Sequence, residues 1–581
     1  MRDLPFREVW AVDFEFISAE GNRPVPVCMV ARELRSARLF RLWQDELPEA
    51  PPFPVDEGAL LVAYMAAAEL GCFLQLGWPM PARILDLYTE FRAQTNGIKL
   101  PLGRGLLSAL SFHGLPSITK DEKATWQALV LRGGPWTPAE RAGILSYCQG
   151  DVDVLGPLLC RMLPGIRAEP KGLGQALLRG RYMAAVARME HVGVPVDTAM
   201  LGRLRAGWPA LKLDLIREVD QDFGVYEGSV FKLARFAKWL ADRGMAWPLT
   251  EQGRPSLEDD TFREMAKLHP EVAPLRELRH ALSDLRLEHL AVGTDERNRT
   301  GLFPFGARTG RNTPGSTRFI FGPSVWLRGL VKPGTGRAIA YIDWRAQEVA
   351  IAASLSGDER LLDAVQSGDP YLAFAKLARL VPGDATKATH PQIREQCKRC
   401  VLGANYGMQA ASLAYRIDGT KADAERLLQA LARAFPVFWQ WSEDTVDRGM
   451  LLGRLSSVYG WPLRVTRDTR PTALRNYPMQ ANGAEMLRIA CCLATERTIE
   501  VCAPVHDAIL IEASAGGIRD AVAGAQQAMV DASRAVLGGL EISSSVEIVS
   551  WPERYSDPRG AAMWAKVTAL LDKYEQVREV G

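Results

Sequence analysis

The chain has 581 residues, 47% of them hydrophobic and 24% charged, which excludes a disordered or collagen-like chain and exceeds what one hydrophobic core holds, so two or three packed units are expected. Its 70 Lys and Arg against 68 Asp and Glu leave a formal charge of +2, so no global field draws it to a polyanion and any nucleic-acid surface must be local. No apolar run approaches the about 18 residues of a membrane span, the acids and proline of MRDLPFREVW argue against a secretory leader, and nine scattered cysteines suit a reducing compartment, so the expected location is cytoplasmic.

In chain order, EVWAVDFEFIS reads as a buried strand carrying two carboxylates, and PVPVCMVAREL and RLFRLWQDEL continue as short strand-like runs. Helical patterns follow, giving a mixed α/β unit that closes at the Pro/Gly-rich stretch Leu163–Gly174. From Gln175 to Val292 amphipathic periodicity predicts an α-rich arm. The segment GARTGRNTPGSTRFIFGPS, with Arg308, Arg311 and Arg318, predicts a flexible basic loop suited to phosphate contact. Beyond it RAIAYIDWRAQ is strand-like, Ala350–Tyr415 is mostly helical, APVHDAILIEAS is a strand or hairpin with acids at its turn, and MWAKVTALLDKYEQV is an amphipathic final helix.

Two carboxylates fixed on rigid strands and far apart in sequence are what two-metal phosphoryl transfer requires. Asp343 in YIDWRAQE and Asp507 in PVHDAIL qualify, although an aspartate after an apolar run is more often a turn or cap residue. Between them, REQCKRCVLGANYG spaces Arg394, Lys398, Leu402 and Tyr406 four apart, one slowly drifting stripe of a helix. Two cations beside an apolar wall and a ring form a seat for a triphosphate, a sugar and a stacked base. Without the two acids, a solvated basic turn merging into a core face is the better reading. Cys397 and Cys400, a CxxC within this stretch, have no second Cys or His pair at zinc spacing and read as core packing.

A second constellation lies near the N-terminus. Asp13 and Glu15 in VDFEF project from one strand face, an unfavourable pairing of like charges unless a cation sits between them. In SYCQGDVDVL, Tyr147 and Asp151 share a helix face, the hydroxyl suited to orient an attacking water and the carboxylate to bind metal. The combination points to exonucleolytic cleavage of a phosphodiester; a strand beside a solvated helix is the bland alternative.

These residues resemble, in order and spacing and over nearly the whole chain, the motifs of family A DNA polymerases of the DNA polymerase I type. DWRAQEVAIAASLSGD is similar to motif A, REQCKRCVLGANYG to motif B and APVHDAILIE to motif C. The resemblance implies that Asp343 and Asp507 bind the catalytic metals, Arg394 and Lys398 hold the incoming triphosphate, and Glu348 crowds the sugar 2′ position. It further implies Tyr406 beside the nascent pair, Arg311 in the minor groove, Asn476 and Gln480 on template and primer, and His506 at the primer end. Leu402 replaces the usual aromatic residue against the sugar; Arg345, Ala346 and Gln347 depart from the motif A pattern, and Ala508 stands where an acid often follows. The N-terminal pattern resembles the DEDD-type proofreading domain in its tyrosine version. Its fourth carboxylate falls on Glu69 in AAAELGCF, with Asp86 in ILDLYTEF as the alternative.

The resemblance implies an α/β and α+β multidomain chain: a ribonuclease H-like 3′→5′ exonuclease over 1–165, a helical thumb over 166–300, and palm and fingers over 301–581, the fingers at about 350–440. Two Mg²⁺ ions, or Mn²⁺ in their place, are expected at each site, with primer–template DNA, dNTPs and replication accessory proteins as partners of a monomer, and with no membrane association. The absence of a 5′-nuclease domain before Asp13 resembles bacteriophage replicases, which places the expected setting in a bacterial host. Three rivals stand beside this reading: an exonuclease with a DNA-binding, catalytically weak polymerase region, a non-enzymatic scaffold, and an RNA-making single-subunit polymerase, against which Glu348 and the exonuclease motifs argue.

Overall fold

The computed structural model describes residues 4–580 except 169–170, 251, 259–260, 263–264, 267–268, 284–286 and 323–324. Its packing divides the chain into two units: 1–193 with 293–314 and 338–548, and 194–292 with 315–337 and 549–581. The partition expected at 165 and 300 follows chain order; packing divides the chain otherwise.

In the first unit, strand β1 (Glu8–Ile17) runs through the centre of a five-stranded sheet. It pairs antiparallel with β2 (Val25–Glu33), which pairs with β3 (Leu39–Trp43); on its other edge it runs parallel to β4 (Ala59–Ala63), and β4 to β5 (Ile84–Asp86). Both faces of the central strands are covered, so β1, β2 and β4 are near-continuous apolar runs. Helices α1 (Ala66–Gln75), α2 (Leu87–Thr95), α3 (Leu106–Phe112), α4 (Lys120–Arg132), α5 (Pro138–Ala168) and α6 (Gly172–Val192) follow. Val9, Ala11, Val30, Leu60 and Val62 meet Ile144, Cys148, Val152, Leu155 and Leu159 of α5 in one core, each large aliphatic chain contributing roughly 1.5–3 kcal/mol.

Within Leu163–Gly174, where a boundary is expected, the helix ends only at Ala168 and the next begins at Gly172. Helix α5 continues through Pro157 and Pro164 to Ala168 because Leu158, Leu159, Met162, Leu163 and Ile166 keep one face in the core, and that packing outweighs the local preference of proline to end a helix. Helix α6 belongs to the first unit as well: Gly180 lies so close to Ile84 that a Cβ would fall 2.0 Å from its carbonyl oxygen.

The second unit contains β6 (Val194–Pro195), β7 (Tyr226–Glu227), β8 (Val230–Phe231) and the helices Thr198–Asp220, Leu233–Asp242 and Ala273–Ser283. Asp197 caps the first of these by accepting the Met200 N–H at 3.0 Å and pairs with Arg554 at 3.1 Å. A buried Arg328–Asp557 pair at 2.7 Å ties the same unit together.

The first unit resumes with β9 (Arg297–Asn298) and a four-stranded sheet ordered β13-β14-β10-β15, from β10 (Arg337–Trp344), β13 (Glu500–Val505), β14 (Ala508–Ser514) and β15 (Ser544–Ser550). Strands β11 (Arg454–Ser456) and β12 (Pro462–Arg464) form a separate hairpin. Helix Gln347–Ser356 leaves β10 through Ala346 at φ 50°, and helices Pro391–Asn405 and Pro471–Glu496 follow. Among the described residues, no helix is long and apolar enough to cross a membrane.

Candidate active sites

The N-terminal sheet assembles the first cluster. Asp13 and Glu15 leave the same face of β1, and Asp151, one turn after Tyr147 on α5, brings a carboxylate oxygen to within 4.8 Å of theirs. Glu69, buried on the first turns of α1, accepts the Phe14 N–H at 2.7 Å and so lies between the two acids of β1. The Cys148 thiol donates to the Asp13 carbonyl and carboxylate, each at 3.4 Å. Burial first, and then the Asp151 charge, pushes Asp13 up to about 8; burial and Asp13 push Glu15 up to about 9, and the same causes raise Glu69. Carboxylates crowded in this way are unfavourable unless positive charge lies among them. Burial, with the three acids around it, also raises Tyr147. A cavity of about 500 Å³ opens onto Asp13, Glu15, Tyr147 and Asp151.

Asp86 does not join them. Its carboxylate caps α2 through the Thr89 N–H at 2.6 Å and holds the first residue of α1 through the Ala66 N–H at 2.5 Å, while burial pushes it up to about 6. It braces the helix that carries Glu69.

A residue that motif spacing did not point to completes the cluster: Lys123 of α4 reaches Asp151 at 2.7 Å and lies 5.6 Å above the Tyr147 ring. TKDE was the available signal. Thr119 and Glu122 form a capping box that fixes Lys123 in the first turn of its helix.

The second cluster is assembled from three distant segments. Asp343 lies near the end of β10, and Asp507 in the two-residue turn joining β13 to β14, where His506 takes φ 58°. The Trp344 N–H reaches the Asp507 carbonyl at 3.4 Å. Burial, followed by the Asp507 charge, pushes Asp343 up to about 7, and Lys398 opposes the shift. Asp343 Oδ1 is buried with no hydrogen-bond partner among the described residues, an oxygen available to a cation.

Helix Pro391–Asn405 carries Arg394, Lys398 and Leu402 on one face, with Tyr406 capping its end. Tyr406 donates to Glu348 Oε1 at 2.6 Å and receives the Gln480 amide at 3.4 Å. Burial raises both Glu348 and Tyr406, the tyrosine to about 12, and Arg311 lowers both, so Glu348, Arg311, Tyr406 and Gln480 share one neighbourhood. Arg394 instead binds Asp369 at 2.5 Å, its guanidinium 5.5 Å above Tyr371; neither partner stands out in the sequence. Asn476 Oδ1 is buried without a partner among the described residues. Cys397 and Cys400 are buried, their thiols pushed up to about 12 by burial.

The loop around Arg311 is not the flexible segment expected. Asn96 donates to the carbonyls of Arg308 and Pro462, both at 2.6 Å, Arg92 to Gly306 at 2.5 Å, and Arg488 to Gly310 at 2.7 Å. Gly306 has no space for a side chain, since a Cβ would lie 1.7 Å from Thr313 Oγ1. Basic and glycine-rich composition marks a loop, but the paired carbonyls fix this one.

Residues 322–550 match the model of DNA polymerase family A. The chain is 26% identical over 398 residues to DNA polymerase I of Chloroflexus aurantiacus, covering 63% of this chain and 41% of that protein. Over this stretch the chain is similar to DNA polymerase family A. Against the DNA polymerase of Mycobacterium phage D29 it is 27% identical over 226 residues, 37% of this chain and 36% of that one. The matched stretches thus span well under two thirds of the length of these relatives. A solved structure, the POL domain of Pol1 from M. smegmatis in complex with DNA primer-template and dNTP, superposes with a TM-score of 0.68 at 18% identity, over 93% of this chain and 94% of that one. At that identity the likeness is one of fold.

Proposed function

We propose that the chain extends the 3′ end of a DNA primer with deoxynucleotides and removes mispaired 3′ nucleotides at a second site. The observation that carries the reading is the meeting of Asp343 and Asp507 opposite Lys398, inside the stretch that matches the family. The order of the five-stranded sheet, antiparallel on one side of β1 and parallel on the other, supports a ribonuclease H-like exonuclease fold for the N-terminal part.

The donor sets fit divalent cations: clustered, raised carboxylates in both places and an unpartnered Asp343 oxygen. Asp343 and Asp507 would hold one pair of Mg²⁺ ions, and Asp13, Glu15, Asp151 and Glu69 another, with Mn²⁺ as a substitute. When bound, such ions lower the pKa of an attacking hydroxyl or water and balance charge on the leaving oxygen.

The chain's own side chains do the rest. Lys398 would pair with the triphosphate, and Arg394 would exchange Asp369 for it. Glu348, held by Tyr406, would occupy the space a ribose 2′-hydroxyl needs, which favours deoxynucleotides. Arg311, on its fixed loop, would donate to the primer–template duplex, with Asn476 and Gln480 on template and primer and His506 at the primer end. Tyr147 would orient the water for 3′→5′ cleavage. Monomeric action on primer–template with replication accessory proteins, in the cytoplasm of a bacterial host, belongs to the same reading; similarity to the phage D29 polymerase supports a phage genome as the template.

The test is Mg²⁺-dependent extension of primers with matched and mismatched 3′ ends by wild type, Asp343→Ala and Asp13→Ala. Asp343→Ala is expected to lose extension by about 1,000-fold and Asp13→Ala to lose mismatch removal by a similar factor. Degradation without extension by wild type would overturn the polymerase reading.

A further inference from the structure

We propose that Lys123 is the fixed cation of the exonuclease site: it holds Asp151 in the metal-free protein and pairs with the phosphate to be cleaved once metal ions take the carboxylates. The inference rests on the exonuclease reading above and assigns a group that its motifs do not contain.

Three observations carry it. First, the ammonium is 2.7 Å from Asp151 Oδ2 with side chains only 21% and 14% exposed, so this pair sits in the wall of the 500 Å³ cavity and not on the open surface. That space suits one terminal nucleotide. Second, α4 applies two side chains to Tyr147: Lys123 lies 5.6 Å over its ring, and Trp126 stacks on it at 6.3 Å and 14°. The helix is therefore docked with its lysine aimed at the cluster. Third, Lys123 occupies the first turn of α4, capped by Thr119 and Glu122, where a helix disfavours positive charge. The local helix does not account for it, whereas Asp151, Asp13 and Glu15 do.

Its charge already reaches Asp13 and Glu15. Yet the Asp151 oxygen it occupies is one that a metal ion would claim. Binding of metal would free the ammonium a short distance from the cluster, where an anionic phosphodiester oxygen is the available partner. No bond to Lys123 forms or breaks; it contributes hydrogen bonds and charge, and its protons stay in place.

The experiment compares wild type, Lys123→Met and Lys123→Arg in the full chain. Binding of Mn²⁺ is followed by electron paramagnetic resonance in the Asp343→Ala background, which silences the other acidic site, and degradation of single-stranded DNA is measured at saturating Mg²⁺. Lys123→Met is expected to bind Mn²⁺ about threefold more tightly, because a competitor for Asp151 is gone. It should nonetheless degrade DNA about tenfold more slowly or worse, with Lys123→Arg recovering most of the rate. Unchanged degradation overturns the proposal, and so does slow degradation with Mn²⁺ binding unchanged or weakened, the mark of a merely structural pair. Absence of degradation by wild type, with Asp13→Ala no different, would instead sink the exonuclease reading beneath it.

Discussion

The two carboxylate clusters are built in opposite ways. At the N-terminal site, four acids come from β1, α1 and α5 of one sheet-and-helix unit; Glu69 is tied to the β1 backbone and Lys123 to Asp151. At the second site, Asp343 and Asp507 stand on a strand and a hairpin turn 164 positions apart, Lys398 approaches from a helix between them, and Asp343 Oδ1 has no partner among the described residues. The first cluster is held by its own scaffold; the second depends on separate segments meeting. Pre-placed side chains favour one fixed geometry, whereas at the second site Lys398 is borne on a helix and Arg394 is engaged by Asp369.

The largest effect that tests this contrast separates Glu69 from Asp86. Glu69→Ala is expected to lower 3′→5′ degradation at saturating Mg²⁺ by about 100-fold with little change in melting temperature. Asp86→Ala should do the reverse. Two buried N–H groups lose their acceptor, which costs about 1–3 kcal/mol, while turnover of the folded protein stays within about tenfold of wild type because α1 keeps its own contacts with the core. Degradation abolished by Asp86→Ala and untouched by Glu69→Ala would show that the pre-placed cluster has been drawn with the wrong fourth acid.

Why these two acids were separable in sequence only with difficulty is instructive. The period-2 placement of Asp13 and Glu15 and the four-residue spacing of Tyr147 and Asp151 state their faces directly, because strand and helix periodicity are local properties. The β13–β14 hairpin and the helix of Arg394, Lys398 and Leu402 were legible for the same reason. Asp86 ends a short strand and precedes a helix, the position of a capping residue, and it is also where a ligand would sit; only the Ala66 and Thr89 N–H groups decide between them. Lys123, Asp369 and Asn96 were not legible. Each acts through a partner at least 25 positions away, and no local pattern encodes such a meeting. Pro164 misled for a related reason, since the core on Leu163 and Ile166 overrides a local signal.

A smaller effect sharpens the description of the second cluster. The Tyr406–Glu348 hydrogen bond at 2.6 Å fixes the glutamate across the proposed sugar position. Glu348→Ala is expected to reduce discrimination against ribonucleotides by about 10–100-fold, and Tyr406→Phe, which frees the carboxylate but leaves it in place, by less than about tenfold. Competing rNTP and dNTP incorporation by wild type and both variants measures this. Equal discrimination by all three would remove Glu348 from the site.

The smallest effect compares the clusters without metal. Asp13 is raised to about 8, Glu15 to about 9 and Asp343 to about 7, in each case chiefly by burial and then by a neighbouring carboxylate. A folded-state pKa above the unfolded value means that the native protein retains protons the unfolded chain has released. Stability is therefore greatest below about pH 4 with respect to these groups and declines as pH rises through their folded values. In EDTA the melting temperature should fall from pH 5 to pH 9. Asp343→Asn should lessen the decline up to about pH 7, and Glu15→Gln should lessen it up to about pH 9, each by on the order of 1 kcal/mol. Excess Mg²⁺ should abolish most of the slope, since a bound cation stabilises the ionised forms. The clusters differ in how far each slope extends: the pre-placed site, with more acids in one unit, holds its protons to higher pH. A metal-free melting temperature that rose across this range, or a Glu15→Gln profile identical to wild type above pH 7, would contradict the account of crowded, unneutralised carboxylates from which both sites were built.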